Sequence, residues 1–339
     1  MTAGAARTGE APVRWGILGA GGIARTVGAA IAGSPDSVVT AVASRDGDRA
    51  AAAAADLGAD RSYGDYRRLL DDRRVDVVYV ATTHDQHYRQ VLDVLAAGRA
   101  VLVEKPMTVT AEQTRRLITV ARDNRLFLME ALWTRCLPLV RAAVALAADG
   151  AIGRVVGMRS DKARHVARDP AHRLWDRATA GGALLDLGVY PAHLALLFLG
   201  PPDHVSAVAR MTPEHVDSTT AVQWAYDDGR HAHLVASFDG WTAGPHTVLS
   251  GENGFIALHG PTQVPTSATC HRPGEDDITV SADELGTGYG PQVAEVERCL
   301  RTGRTESELV PPGATWQVLR ALDAARAQVS LDYGSLEQA

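Results

Sequence analysis

Up to about residue 130, short apolar runs alternate with helical segments, and the first junction between the two reads Gly19-Ala20-Gly21-Gly22-Ile23-Ala24. The apolar runs are Val13–Leu18, Val38–Ala43, Val75–Ala81, Ala100–Val103 and Leu126–Met129, and the helical segments are Gly22–Ala32, Gly47–Leu57, Asp85–Ala97 and Thr110–Asn124. Strands that alternate with helices pair in parallel, because each crossover helix returns the chain to the same end of the sheet. A doubly wound α/β domain is therefore expected. The junction matches G-x-G-x-x-A. Its first glycine permits the tight turn, its second lets backbone approach a pyrophosphate, and the small third residue lets helix and strand pack closely. The phosphates would then meet the unpaired N–H groups at the positive end of the first helix.

The rhythm changes in the second half. A helix near Leu137–Ala148 precedes a long strand pattern at Arg154–Arg164 and an apolar helix near Ala183–Leu199. Then Val205–Arg210, Thr219–Tyr226, Arg230–Phe238, His246–Ser250 and Gly254–His259 follow as strands, with Asp227-Asp228-Gly229 as a hairpin signal. This implies an α+β domain with a mainly antiparallel sheet. The stretch Gly260–Gly274 is read as a surface loop, and terminal helices are expected near Gln292–Arg301 and Gly313–Ser330. The division expected is a tail over 1–12, a nucleotide-binding domain over 13–133 and a second domain over 134–339, with the last helix able to pack back on the first domain.

The end of the second strand selects the nucleotide. An acid there would hold a ribose 2′-hydroxyl. This chain has Ala43-Ser44-Arg45, whose hydroxyl and guanidinium suit a 2′-phosphate, so NADP is favoured over NAD. Asp46 and Asp48 lie close by and keep NAD open.

Of 34 basic residues only Lys105 and Lys162 are lysines. Lys105 follows the apolar run Ala100–Val103, so its ammonium stands at the carboxyl end of a buried strand, where open α/β sheets bind ligands. Composition excludes other classes. The formal net charge is −6 with the signs interspersed, and no basic stripe carries aromatics, so nucleic acid is not expected as a partner. No uninterrupted apolar run reaches the length of a membrane span, and Met1 to Pro12 lacks the apolar core of a signal peptide. Cys136, Cys270 and Cys299 are scattered, with neither metal spacing nor a disulfide framework, which fits a reducing cytoplasm. No metal constellation is present, so no metal is expected.

The chain resembles the family of glucose–fructose oxidoreductase, inositol dehydrogenase and dimeric dihydrodiol dehydrogenase. The matching pieces are Gly19–Ala24, Ala81-Thr82-Thr83-His84 with His87, Glu104-Lys105-Pro106, and Gly181-Gly182-Ala183-Leu184-Leu185-Asp186-Leu187-Gly188-Val189-Tyr190. Met129–Arg135 and Glu295–Leu300 look more like the dihydrodiol dehydrogenase branch. The resemblance runs from about Val13 to Tyr333. It implies a Rossmann domain followed by a large open antiparallel sheet that carries a homo-oligomer interface, as a dimer or a dimer of dimers.

By the same resemblance, Lys105 lies beside the nicotinamide and the reacting oxygen, and Tyr190 passes the proton. A phenol does this once nearby cations lower its pKa. Lys105-Pro106 is a candidate cis bond. Thr82, His84, His87 and Glu104 fall near the nucleotide, although the usual pattern has proline and asparagine where this chain has Thr83 and His84. Asp186 would share a helix face with Tyr190, to hold a substrate hydroxyl, to tune the phenol, or only to complement a helix N-terminus. Pro191 would kink that helix. Lys162, Arg173, Trp175 and His193 are weaker substrate-side candidates; solvent is the commoner place for Lys162, and a packed core for His193. The implied activity is hydride transfer between nicotinamide and a carbinol or ketone carbon of a sugar, cyclitol or cyclic diol. A sugar-nucleotide ketoreductase, with Arg164, Arg168 and Arg173 facing a diphosphate, and a non-catalytic dinucleotide sensor are the alternatives.

Overall fold

The computed structural model describes residues 11–286 and 288–338. The expected N-terminal tail, up to its last two residues, lies outside them. The chain divides into two compact units. The first contains the chain up to Thr108, Glu112–Leu132 and Tyr289–Gly313, and the second contains Val109–Ala111, Trp133–Gly288 and the chain from Ala314 onward.

In the first unit the elements run β1 (Val13–Leu18), α1 (Gly22–Ala32), β2 (Ser37–Ala43), α2 (Gly47–Asp56), β3 (Arg61–Tyr63), α3 (Tyr66–Leu70), β4 (Val77–Val80), α4 (His84–Ala96), β5 (Ala100–Val103), α5 (Ala111–Asn124) and β6 (Leu128–Glu130). The sheet order is β3-β2-β1-β4-β5-β6, with every pair parallel. β4 and β5 are wholly buried and consist almost entirely of branched apolar residues, as strands covered on both faces must be. Strand order reverses between β1 and β4, the switch point where such sheets bind ligands. β3 and α3 are additions to the sequence reading. β3 is a three-residue, largely exposed edge strand with no apolar signal.

The second unit holds α6 (Pro138–Ala148), β7 (Val155–Ala163), a single π-helical turn at Leu184–Gly188, α7 (Val189–Leu199), β8 (His204–Met211), β9 (Asp217–Ala225), β10 (His231–Ser237), β11 (Thr247–Gly251), β12 (Gly254–His259), β13 (Ser267–His271), β14 (Ile278–Ser281) and α8 (Ala282–Leu285). Its sheet order is β14-β13-β12-β11-β7-β10-β9-β8. Only β7 and β10 pair in parallel, so the sheet is mixed but mainly antiparallel. β13 lies within the stretch read as a loop. Its sequence, Ser-Ala-Thr-Cys-His, lacks the bulky alternation that marks a strand, and pairing with β12 on one side and β14 on the other supplies the structure instead.

α7 and the π turn pack over β7 and β10, burying Met158, Leu234 and Ala236 from one face. On the other face Arg159, Gln223, His231, His233 and Ser250 are exposed alongside Val208 and Phe255, so that face is more polar than an apolar patch. The stretch 177–199 is apolar and long enough to cross a membrane, yet 89% of its most apolar window is buried inside the protein, as for a core helix.

α9 (Gly290–Arg301) groups with the first unit, although the expected boundary puts everything after residue 133 in the second. Glu297 explains this. Its carboxylate accepts from the Ser34 hydroxyl at 2.7 Å and from Ser37, which in turn accepts from the Trp15 indole at 2.8 Å. α10 (Pro312–Gln328) groups with the second unit from Ala314 on.

Candidate functional site

Gly19, Ser44, Thr82 and Glu104-Lys105 each follow a parallel strand, so they line the carboxyl edge of the first sheet. Gly19 has φ +111°, and a Cβ there would sit 2.5 Å from the Ala81 carbonyl oxygen, so the position admits only glycine. At Gly21 and Gly22 the opposite holds. Among the described residues no heavy atom lies within 4 Å of a Cβ built on either, and no side chain caps α1. Ile23 follows in the first turn. This is open space over uncapped N–H groups, which a pyrophosphate fits. Ala24 is buried, but the tightest helix–strand approach lies one turn on. A Cβ on Gly28 would stand 2.6 Å from Leu57 and 3.1 Å from Ile17.

At the end of β2, Asp46 is already engaged. Its Oδ1 accepts from the Asp48 and Arg49 N–H groups at 3.0 and 3.1 Å, capping α2. Ser44 is buried and accepts from the Asp46 N–H at 3.2 Å, while Arg45 is exposed. Among the described residues Arg45 thus offers an exposed guanidinium next to the strand end, a group that can take a phosphate.

His87 is fully buried, with Nδ1 2.8 Å from the Pro106 carbonyl oxygen and Nε2 3.2 Å from that of Thr82. It braces the ends of β4 and β5, and burial pushes its pKa down. His84 is buried beside it, edge to face at 5.9 Å. The Thr82 hydroxyl donates to Gln90 at 2.6 Å, and Gln90 donates to Gln86 at 3.1 Å.

Glu104 points into the unit. It accepts from the Tyr79 hydroxyl at 2.6 Å and from the Lys105 N–H at 3.2 Å, and burial pushes its pKa up. Beyond the cis Lys105-Pro106 bond, Glu130 accepts from the Met107 N–H at 2.9 Å. Lys105 itself is half-buried. Tyr79 belongs to this cluster through its strand neighbours and carries no motif of its own, whereas Glu130 lies in the Met129–Arg135 stretch that resembles the dihydrodiol dehydrogenase branch.

In the second unit Asp186 and Tyr190 are both buried. The expected kink at Pro191 is replaced by the π turn just before α7. Pro191 follows directly on that turn in a helix that runs on through Val189–Leu199, so the π turn is the local departure from α geometry that accompanies the missing N–H. Two arginines converge on Asp186: Arg164 Nη2 reaches Oδ2 at 3.3 Å, and Arg173 Nη2 lies 3.6 Å from Oδ1. Arg168 instead pairs with Glu214.

Lys162 is half-buried and shares the covered face of β7 with Met158 and Ser160. It helps to hold the His246 pKa down, second to burial. His193 is fully buried in α7, as the core reading expects. Trp175 is a packing residue. It is 2% exposed, its indole donates to the Ala167 carbonyl at 3.0 Å, and it meets Phe238 edge to face at 5.2 Å.

Comparison with known proteins agrees with this architecture. Residues 13–132 match the model of the oxidoreductase family with an NAD-binding Rossmann fold, and residues 140–257 match the GFO/IDH/MocA C-terminal domain. The chain is 34% identical to trans-1,2-dihydrobenzene-1,2-diol dehydrogenase of Oryctolagus cuniculus, covering 87% of this chain and 91% of that one. It is 31% identical to the NADP(+) D-xylose 1-dehydrogenase of Hypocrea jecorina, covering 96% and 94%. A 3-ketoreductase from Actinomadura kijaniata, solved with NADP and TDP-benzene, superimposes with a TM-score of 0.84 at 26% identity, covering 94% of this chain and 98% of that one. With its parallel nucleotide-binding sheet, its second open sheet and its likeness along nearly the whole length, this chain belongs to the GFO/IDH/MocA family of oxidoreductases.

Proposed function

We propose that the protein is an NADP-dependent oxidoreductase acting on CH–OH groups, moving a hydride between nicotinamide and the carbinol or ketone carbon of a sugar, cyclitol or cyclic diol. The observation that carries the reading is the open, uncapped turn at Gly21-Gly22 on the same sheet edge as Lys105. The relatives' substrates, a dihydrodiol and a pentose, support the class. When bound, the nicotinamide supplies the hydride donor or acceptor. Gly19–Ala24 would hold the pyrophosphate, Ser44 and Arg45 the 2′-phosphate, and Thr82 and His84 the ribose side, with His87 and Glu104 bracing the strand ends.

Lys105 polarises a carbonyl oxygen or stabilises the alkoxide that forms from it. Tyr190, in the second unit, is the residue assigned the proton transfer. Asp186, oriented by Arg164 and Arg173, accepts a substrate hydroxyl. A homo-oligomer, assembled in the cytoplasm through the open face of the second sheet, completes the reading. A second reading, a sugar-nucleotide ketoreductase, draws on one observation. Two guanidinium groups on one carboxylate leave positive charge for a diphosphate, as the TDP ligand of the Actinomadura kijaniata protein would need. A screen of reduced-nicotinamide absorbance against dihydrodiols, free sugars and nucleotide-linked keto sugars, with both coenzymes, separates the readings. Turnover of free diols or sugars with NADP supports the first. Turnover confined to nucleotide-linked substrates supports the second.

A further inference from the structure

The turn that leads into the Asp186–Tyr190 segment is held from several directions. Tyr333 donates its hydroxyl to the Gly181 carbonyl at 2.7 Å, and the Gly182 N–H donates to the Leu174 carbonyl at 2.9 Å. A Cβ on Gly181 would meet the Leu174 carbonyl oxygen at 2.6 Å. Gly182 has φ +111°, and a Cβ there would stand 2.2 Å from Asp217 Oδ1. The other oxygen of that carboxylate accepts from the Leu184 N–H at 2.8 Å and the Thr220 hydroxyl at 2.7 Å. Leu184 is the first residue of the π turn, and π turns of this kind are frequent at functional sites.

We propose that Asp217 is a positioning residue: its carboxylate anchors the first N–H of the π turn and so fixes where Asp186 and Tyr190 stand. The inference rests on reading that segment as the substrate side of the site. Asp217 is fully buried at the start of β9, 33 residues from the N–H it holds. A carboxylate in that place is costly, and a purely structural contact would be served as well by a neutral group. The charged and titratable groups facing this corner are few. Tyr333 is held well above its ordinary range by burial first and by Asp217 second. Arg326 lies over the Tyr333 ring at 5.2 Å and is paired with Asp323 and Glu337. No cation pairs directly with Asp217 among the described residues, so backbone and hydroxyl donors alone hold it. Burial outweighs them and pushes its pKa up to about 6.

The test compares the full-length parent with Asp217→Asn and Thr220→Val. Hydrogen exchange by mass spectrometry over the peptide 181–190 reads the anchor without requiring a substrate. In Asp217→Asn that peptide should exchange roughly tenfold faster or more, while peptides of the nucleotide-binding unit stay unchanged. With the substrate found in the screen, kcat should fall by about 10- to 100-fold, because a misplacement of ~1 Å costs on that order, and NADP affinity should stay within about twofold. As pH falls through about 6 the parent's carboxylate takes up a proton, so its kcat should drop, and this pH dependence should be absent in Asp217→Asn. Thr220→Val, which removes one of the two donors, should show the same pattern with smaller amplitude and decides the matter if Asp217→Asn does not fold. Exchange and kcat both within about twofold of the parent would overturn the proposal, and so would faster exchange spread evenly over the second unit. Local loosening in a protein with no turnover of any substrate would support the anchor and count against the proposed function instead.

Discussion

Fully buried and with no cation paired to it among the described residues, the Asp217 carboxylate opposes folding when it is ionised. The carboxyl is shifted from 3.8 to about 6, with burial as the largest cause. A difference of that order, at about 1.4 kcal/mol per pKa unit, makes ionisation cost the fold about 3 kcal/mol at neutral pH. The sign follows from proton counting. Between the unfolded and folded pKa values the folded state binds the extra proton, so stability due to this group falls as pH rises from about 4 to about 6 and is flat above. Asp217→Asn removes the titration. Urea unfolding of the parent and Asp217→Asn at pH 4.5 and pH 7.5 isolates the effect, because every other titrating group is common to both. The parent should lose about 2 kcal/mol relative to the variant between these two pH values. A variant that is more stable yet slower at neutral pH would mark a residue retained for positioning at the expense of stability. A stability difference that is constant with pH, or one that grows in favour of the parent as pH rises, would refute the buried, unpaired carboxylate.

Arg45→Ala should erase most of the preference for NADP over NAD, measured by titrating each reduced coenzyme; equal affinities in the parent would count against the 2′-phosphate assignment. Tyr190→Phe should lower turnover by about 10²–10⁴-fold with NADP affinity nearly unchanged, since only a proton carrier and one hydrogen bond are lost; retention of more than about half the turnover, with a full deuterium isotope effect, would pass the proton role to another group. Light scattering at micromolar concentration should give a dimer or a dimer of dimers, and a monomer would contradict assembly through the open sheet face.

The first unit was legible because its signals are local. Ala100–Val103 announces a strand buried on both faces, and Gly19–Ala24 announces a turn whose geometry is dictated by Cβ clashes that the structure then displays at Gly19. Two short strands were not legible. Arg61–Tyr63 and Ser267–His271 are strands because neighbours pair with them, not because their side chains alternate. The chemistry-bearing residues divide the same way. Asp186 and Tyr190 fall in a recognisable string, whereas nothing in Val216-Asp217-Ser218 signals that the middle residue reaches back to Leu184. Trp175 and His87 show the opposite case. Each looks functional in sequence, yet the first supplies buried area and an indole bond to Ala167, and the second ties two strand ends together.

In the proposed function, Lys105 acts on the oxygen of a CH–OH substrate while the nucleotide is held elsewhere on the same sheet edge. Lys105→Met tests it most directly, with NADP-linked oxidation of trans-dihydrobenzenediol and D-xylose followed by absorbance and NADP affinity measured in parallel by titration. The parent should turn over at least one of these substrates, and the variant should lose about 10²-fold or more in kcat, because the group stabilising the alkoxide is gone, with NADP affinity within a few-fold of the parent. Equal turnover by parent and variant, or an NADP affinity that collapses together with the rate, would remove Lys105 from that role.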